Sequence, residues 1–160
     1  MLFRSDLIPI RHVAEMLSLY ARIIDLRYPN RYRFRIDVDQ TIEEVRVLKF
    51  IFQPLLENAF VHGVSKTGGS VSARFQRDPR GVLFSVEDDG RGIRPERLRE
   101  IKSALRSDGT NVEENFALVN VDRQIRLYYR IETGIEIVSR WGEGTRVTVV
   151  LPERGENDDV

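Results

Sequence analysis

The sequence predicts an α+β domain, because segments with helical spacing of apolar residues alternate with segments of period two, and strand pairs are joined by short turns. The helical signal is plainest over residues 9–27, where Ile10, Val13, Met16, Leu17, Tyr20, Ile23 and Ile24 are apolar. The strand signal is plainest over Tyr32–Val38, where Tyr32, Phe34, Ile36 and Val38 alternate with Arg33, Arg35 and Asp37. Turn chemistry supplies the remaining observation: Asp78-Pro79-Arg80-Gly81 and Trp141-Gly142-Glu143-Gly144 each separate two β-rich runs.

Along the chain, Tyr28-Pro29-Asn30 breaks the first helix. Residues 41–63 read as a second helix, interrupted or kinked at Pro54, which has no N–H for the preceding turn, and stopped at Gly63. Residues 70–76 and 82–87 are strands on either side of the first turn. Residues 94–105 form a charged helix with Pro95 in its first turn, and residues 118–129 are helical again. Between them, residues 107–115 are polar and aperiodic and read as a mobile loop. Residues 135–139 and 145–151 make the last strand pair, and the acidic residues 153–160 are expected to be a disordered tail.

Composition narrows the function classes. A chain of 160 residues with 41% hydrophobic and 31% charged residues suits one soluble globular domain. Lys+Arg 25 equals Asp+Glu 25, so no basic excess points to nucleic acid or an acidic membrane. The start lacks a secretory signal pattern, and no apolar run approaches the roughly eighteen residues of a membrane span. The absence of cysteine (Cys 0) excludes disulfides, thiolate metal sites and thiol nucleophiles.

The chemistry concentrates in two stretches. Gln53-Pro-Leu-Leu-Glu-Asn-Ala-Phe-Val-His-Gly63 puts Glu57 and Asn58 inside an otherwise apolar helix, where an unpartnered polar group costs about 1–3 kcal/mol. The Asn58 carbonyl oxygen is a hard ligand of the kind Mg2+ accepts. His62, four residues on, shares its helical face, and Glu57 sits one residue off it. A lone asparagine of this kind can equally be met by neighbouring backbone. Asp88-Asp89-Gly90-Arg91-Gly92-Ile93 ends a strand. An ionised Asp88 only accepts hydrogen bonds, which complements the exocyclic amine of adenine, and Gly90 and Gly92 allow backbone to approach a flat base. Gly142, Gly144 and Thr145 precede a Val-rich strand and fit a hairpin as well as a ligand loop.

Together with Asn120-Val-Asp-Arg-Gln-Ile-Arg-Leu-Tyr-Tyr129 and Gly142-Glu-Gly-Thr145, these motifs resemble the catalytic ATP-binding domain of bacterial sensor histidine kinases. Among them the chain is most similar to the branch whose asparagine box reads Gln-Pro-Leu-x-Glu-Asn-Ala, and the resemblance extends from about Ile8 to Pro152. It implies a two-layer α/β sandwich of the histidine kinase and gyrase-type ATPase superfamily, with a mixed sheet covered by helices on one face. It also implies a division into an N-terminal helix and linker (residues 1–30), an ATP-binding domain (31–152) and the tail (153–160). Asn58 would hold Mg2+ against the phosphates and Asp88 would bind adenine. Gly90, Gly92, Ile93, Gly142, Gly144 and Thr145 would shape the pocket, with His62, Asn115 and Leu118 beside it. Residues 107–117 would be the lid over ATP. Glu57, with Asn58, would assist transfer of the γ-phosphate to a histidine. The implied partners are histidine-bearing dimerisation helices upstream, a second copy in the full-length protein, and a response regulator. The implied setting is the cytoplasmic part of a membrane-anchored protein.

The pattern is broken in places. Where such lids carry a Gly-x-Gly-x-Gly-Leu run, this chain has Glu113-Glu114-Asn115-Phe116-Ala117-Leu118, and its carboxylates repel a triphosphate. Val61 stands where lysine is frequent, and Gln124 where a basic residue is common. His12 is followed by Val13-Ala14 rather than the Phe and Asn of the acceptor motif, so the substrate histidine is expected outside this chain. These departures sustain an alternative, a degenerate nucleotide-binding or protein-interaction module with an impaired ATP lid. A gyrase-like hydrolase ranks last, because Pro54 occupies the position of its water-activating Glu.

Overall fold

A computed structural model of the protein describes residues 6–64, 68–107 and 117–153. Its main sheet has five strands in the order β2-β4-β5-β7-β6: β2 (Tyr32–Val38), β4 (Gly69–Asp78), β5 (Gly81–Asp88), β7 (Gly144–Leu151) and β6 (Ile135–Arg140). β2 runs parallel to β4 and every other pairing is antiparallel, so the sheet is mixed. A two-stranded ribbon joins β1 (Leu7–Pro9) to β3 (Arg46–Leu48).

Period-two alternation decides which face is covered. Val71, Ala73 and Phe75 of β4 are buried, as are Val82, Phe84 and Val86 of β5, and Val147, Val149 and Leu151 of β7. The intervening residues Arg74, Glu87 and Arg146 face solvent. Helices α1 (Ile10–Arg27), α2 (Phe52–Asn58) and α4 (Ala117–Tyr129) contribute buried residues to the same core, and α3 (Pro95–Arg106) adds Ile101. This is the expected two-layer α+β sandwich. Its centre is aromatic: the Phe84 ring lies 4.5 Å from that of Phe75 and 4.9 Å from that of Phe52.

The span 41–63 differs from the single helix its periodicity predicts. A 3-10 turn (Gln40–Ile42) and β3 come first; the helix proper starts only at Phe52, and Ala59–Gly63 continues it as a π-helical turn. Tertiary pairing with β1 overrides the helical spacing at Arg46–Leu48, and the Leu48 N–H also donates to the buried Tyr129 hydroxyl at 3.3 Å. Pro54 consequently does not kink a helix. It lies in the first turn of α2, where a missing N–H costs no hydrogen bond. At the end of the described chain Glu153 forms a 2.7 Å ion pair with Arg77 of β4. Residues 154–160 lie outside the described residues.

Helix α1 has no side-chain cap; its first N–H groups donate instead to loop carbonyls, Ile10 to Val45 and Arg11 to Glu43, both at 3.0 Å. It carries two apolar stripes. Ile10, Val13, Leu17 and Ala21 are buried against the domain, whereas Met16, Leu19, Ile23 and Leu26 remain exposed on another face. Among the described residues no helix is long and apolar enough to cross a membrane.

Because Phe84 is fully buried at the meeting point of the aromatic rings, Phe84→Ala is expected to destabilise the fold by about 3–5 kcal/mol. A urea-unfolding midpoint lowered with little change in slope would bear this out; an unshifted midpoint would contradict it.

Candidate functional site

The alternation that buries Val82, Phe84 and Val86 carries on to Asp88, so the last residue of β5 delivers a carboxyl group to the core face (6% exposed). Its Oδ1 accepts the Gly90 N–H at 2.9 Å, and it pairs across the sheet with Thr145. Burial, the dominant cause, pushes its pKa up to about 6; the Gly90 hydrogen bond opposes this, and the neighbouring charges of Asp89 and Glu87 add to it.

Glycines are required where backbone closes around this carboxyl. A Cβ on Gly90 would strike the Gly63 carbonyl, and a Cβ on Gly63 would strike the Asp88 carboxylate itself. Gly144 holds φ at +119° with the Asp88 carbonyl against its Cα, which excludes any side chain there. The Arg91 N–H donates to Gly63 O at 3.3 Å and the Gly142 N–H to Arg91 O at 2.6 Å, tying the end of the π-helical turn and both glycine loops together. Ser139 completes the join: its hydroxyl accepts the Ile93 N–H at 2.8 Å, donates to Gly144 O at 3.0 Å and lies 2.8 Å from the Thr145 hydroxyl.

Beside Asp88 opens a cavity of about 390 Å³. Asn58 and His62 line it from the end of α2 and the π-helical turn; Asp88, Gly92 and Ile93 from the end of β5 and its loop; Leu118 from α4; Thr145 from β7. Residues far apart in sequence are thus gathered round one space whose lining is part apolar (Ile93, Ile101 and Leu118) and part polar. Not every candidate lines it. Gly90, Gly142 and Gly144 form the supporting backbone, and Glu57 is exposed outside it. Glu57 lies towards Tyr20 of α1, whose phenol pKa is raised first by burial and then by that carboxylate. Asn115 lies outside the described residues, as do residues 108–116 of the span 107–117 expected to be a lid.

Sequence reasoning missed several lining residues: Gly63, Arg91, Arg94, Arg97, Ile101 and Trp141. The arginines share one signal, since they follow the Asp88 glycine turn and open α3, so the loop that holds the acid also carries the cations. Val61 does not line the cavity, whereas Arg91, Arg94 and Arg97 do. Asp122 is buried (2% exposed) for a structural reason: its carboxylate accepts the Ile135 N–H at 2.7 Å and the Arg126 Nε–H at 2.9 Å, pinning α4 to the start of β6.

The family described as histidine kinase-, DNA gyrase B-, and HSP90-like ATPase matches residues 43–155. The chain is 29% identical over 163 aligned residues to a sensor protein LytS of Bacillus cereus, the match covering 98% of this chain and 27% of that protein. To the sensor histidine kinase YesM of Bacillus subtilis it is 26% identical, over 96% of this chain and 25% of the relative. The chain therefore spans about a quarter of the length of these relatives. Among solved structures, the histidine kinase domain of a blue-light activated kinase from Erythrobacter litoralis superposes with a TM-score of 0.64 at 21% identity, over 91% of this chain and 62% of that one. The histidine kinase domain of the E. coli osmosensor EnvZ gives 0.64 at 17% identity, over 100% of this chain and 96% of that one; both likenesses concern the fold.

A raised pKa on Asp88 means that the folded state holds the proton more tightly than the unfolded chain. Ionisation then opposes folding: the penalty is absent below about pH 4, grows as pH rises, and is complete above about pH 7. Asp88→Asn keeps an acceptor for Gly90 and removes the charge, so at pH 8 it should be more stable than the parent by about 1–3 kcal/mol, with no gain at pH 4. Thermal melts at both pH values measure this; a variant less stable at pH 8 would show that the buried charge is not what limits the fold.

Proposed function

Since the chain belongs to the histidine kinase-, DNA gyrase B-, and HSP90-like ATPases, we propose that it is the ATP-binding catalytic domain of a two-component sensor histidine kinase, passing the γ-phosphate of ATP to a histidine outside this chain. One observation carries the reading: Asn58 and Asp88, from separate elements, border the same partly apolar cavity. A purine fits such a space, one flat face against Ile93, Ile101 and Leu118 and its amine donating to Asp88. Gly92 and Thr145 form the floor of the base site.

The donor set suits Mg2+ brought in with the nucleotide. Among the described residues no three acidic or histidine side chains are grouped to hold a metal. Asn58 offers a single neutral oxygen, which is the contribution expected where phosphates and water complete the shell. When bound, Mg2+ neutralises phosphate charge and orients the chain of phosphates. His62 lies beside Asn58 at that end of the cavity, and Asn115 belongs with the lid in this reading. Glu57 acts as the base. Its exposed position outside the cavity supports this, because a base for an incoming histidine has to be reachable from outside.

Relatives named as sensor proteins support a two-component setting with a response regulator, in the cytoplasmic part of a membrane-anchored sensor. The exposed stripe Met16, Leu19, Ile23 and Leu26 has the three-then-four spacing of a helix-packing seam, which supports docking against histidine-bearing dimerisation helices and a second copy. Balanced charge argues against a nucleic-acid partner.

Calorimetric titration with ATP, with and without Mg2+, tests the reading. Mg2+ should tighten binding in the parent and leave Asn58→Ala unaffected. Adenine binding requires ionised Asp88, so affinity should be level above about pH 7 and fall below pH 6, approaching tenfold per unit. Asp88→Asn should bind more weakly, without that pH dependence. No binding at millimolar ATP would replace this reading with the degenerate interaction module.

A further inference from the structure

At one lip of the cavity the Arg94 guanidinium lies over the Trp141 ring, 4.1 Å from its centroid. Neither residue belongs to the asparagine box or to the glycine positions discussed above. We infer that this stacked pair is a further part of the nucleotide site, a planar cationic wall that packs against the purine and not against the phosphates. The inference rests on reading the cavity as a nucleotide site.

The position of the pair decides which end of the ligand it meets. Gly92 is packed so closely on the second glycine loop that a Cβ there would strike the Arg140 carbonyl, with the Trp141 Cα also 3.1 Å away. Trp141 is therefore built against Gly92, in the loop that follows Asp88, whereas Asn58 comes from α2. Arg94 directly follows Ile93 and caps α3, its carbonyl accepting the Leu98 N–H at 2.9 Å. The following Pro95 holds its backbone extended (φ −60°, ψ 143°). The loop of Arg94 is fastened to the loop of Trp141 by Gly142 N–H to Arg91 O. Among the described residues no carboxylate pairs with Arg94. Beyond its contact with the indole the Arg94 side chain is exposed, and so can meet a further flat π-system.

A wall of this kind discriminates by shape and π-character, so its contribution should be the same for adenosine, ADP and ATP. Trp141, the only tryptophan of the chain, reports on it directly. Titrating the parent chain with each ligand should change Trp141 emission to a similar extent, with calorimetry recording affinity in parallel. Arg94→Ala should weaken adenosine and ATP by the same factor, about 3- to 10-fold. Arg94→Lys should lose as much, because it keeps the charge and not the plane. Both positions are exposed, and an unchanged melting temperature confirms that the variants fold. The inference is overturned if ATP binds by calorimetry without altering Trp141 emission, if the Arg94→Ala loss grows with phosphate number, or if Arg94→Lys restores affinity. If the parent binds no nucleotide at all, the reading of the cavity falls with it, which is a separate outcome.

Discussion

At the end of β5 a carboxyl group is carried into the core by the same alternation that buries Val82, Phe84 and Val86. Solvation would oppose this placement, and the surrounding structure is arranged to permit it. A backbone N–H of Gly90 binds one oxygen, and the chain at Gly63 and Gly144 comes so near that no side chain fits between. The pKa of Asp88 records the residual cost. Backbone hydrogen bonds from Gly90 and Thr145 lower that cost without removing it, so the carboxyl group stays at the cavity wall with a raised pKa.

That arrangement joins three distant segments. The π-helical turn ends at Gly63, the glycine turn follows Asp88, and the loop before β7 ends at Gly144. Their backbone hydrogen bonds make one unit of them. The π-helical turn Ala59–Gly63 belongs to this unit, and such turns commonly mark functional positions. It brings His62 to the cavity together with Asn58, while Glu57 remains outside on the side of α1. Separation of a candidate base from the ligand cavity suits chemistry in which the nucleophile arrives on another protein segment.

Judged by Val61 and the carboxylates at 113–114 alone, the chain looked short of positive charge for a polyphosphate. Arg91, Arg94 and Arg97 line the cavity from the loop after Asp88 and the first turn of α3. Cationic character is thus present on a different wall, although the role of Arg94 argued above is stacking.

Most of the fold was legible because its signals are local. Strand alternation, turn residues at Asp78–Gly81 and Trp141–Gly144, and a proline opening α3 each act within a few residues of where they stand. The sequence could likewise nominate Asn58 and Asp88, since a polar residue on a buried period is visible without coordinates. What remained hidden depends on long-range pairing. Arg46–Leu48 is a strand only because β1 lies beside it, and Glu153 is held only because Arg77 is near. The partnership of Arg94 with Trp141 requires two loops 47 positions apart to meet. By itself the sequence determined which residues alternate, turn and cap, because those are properties of neighbours along the chain. Tertiary structure alone decided which of them share a cavity, because burial and reach depend on elements the chain brings together only when folded.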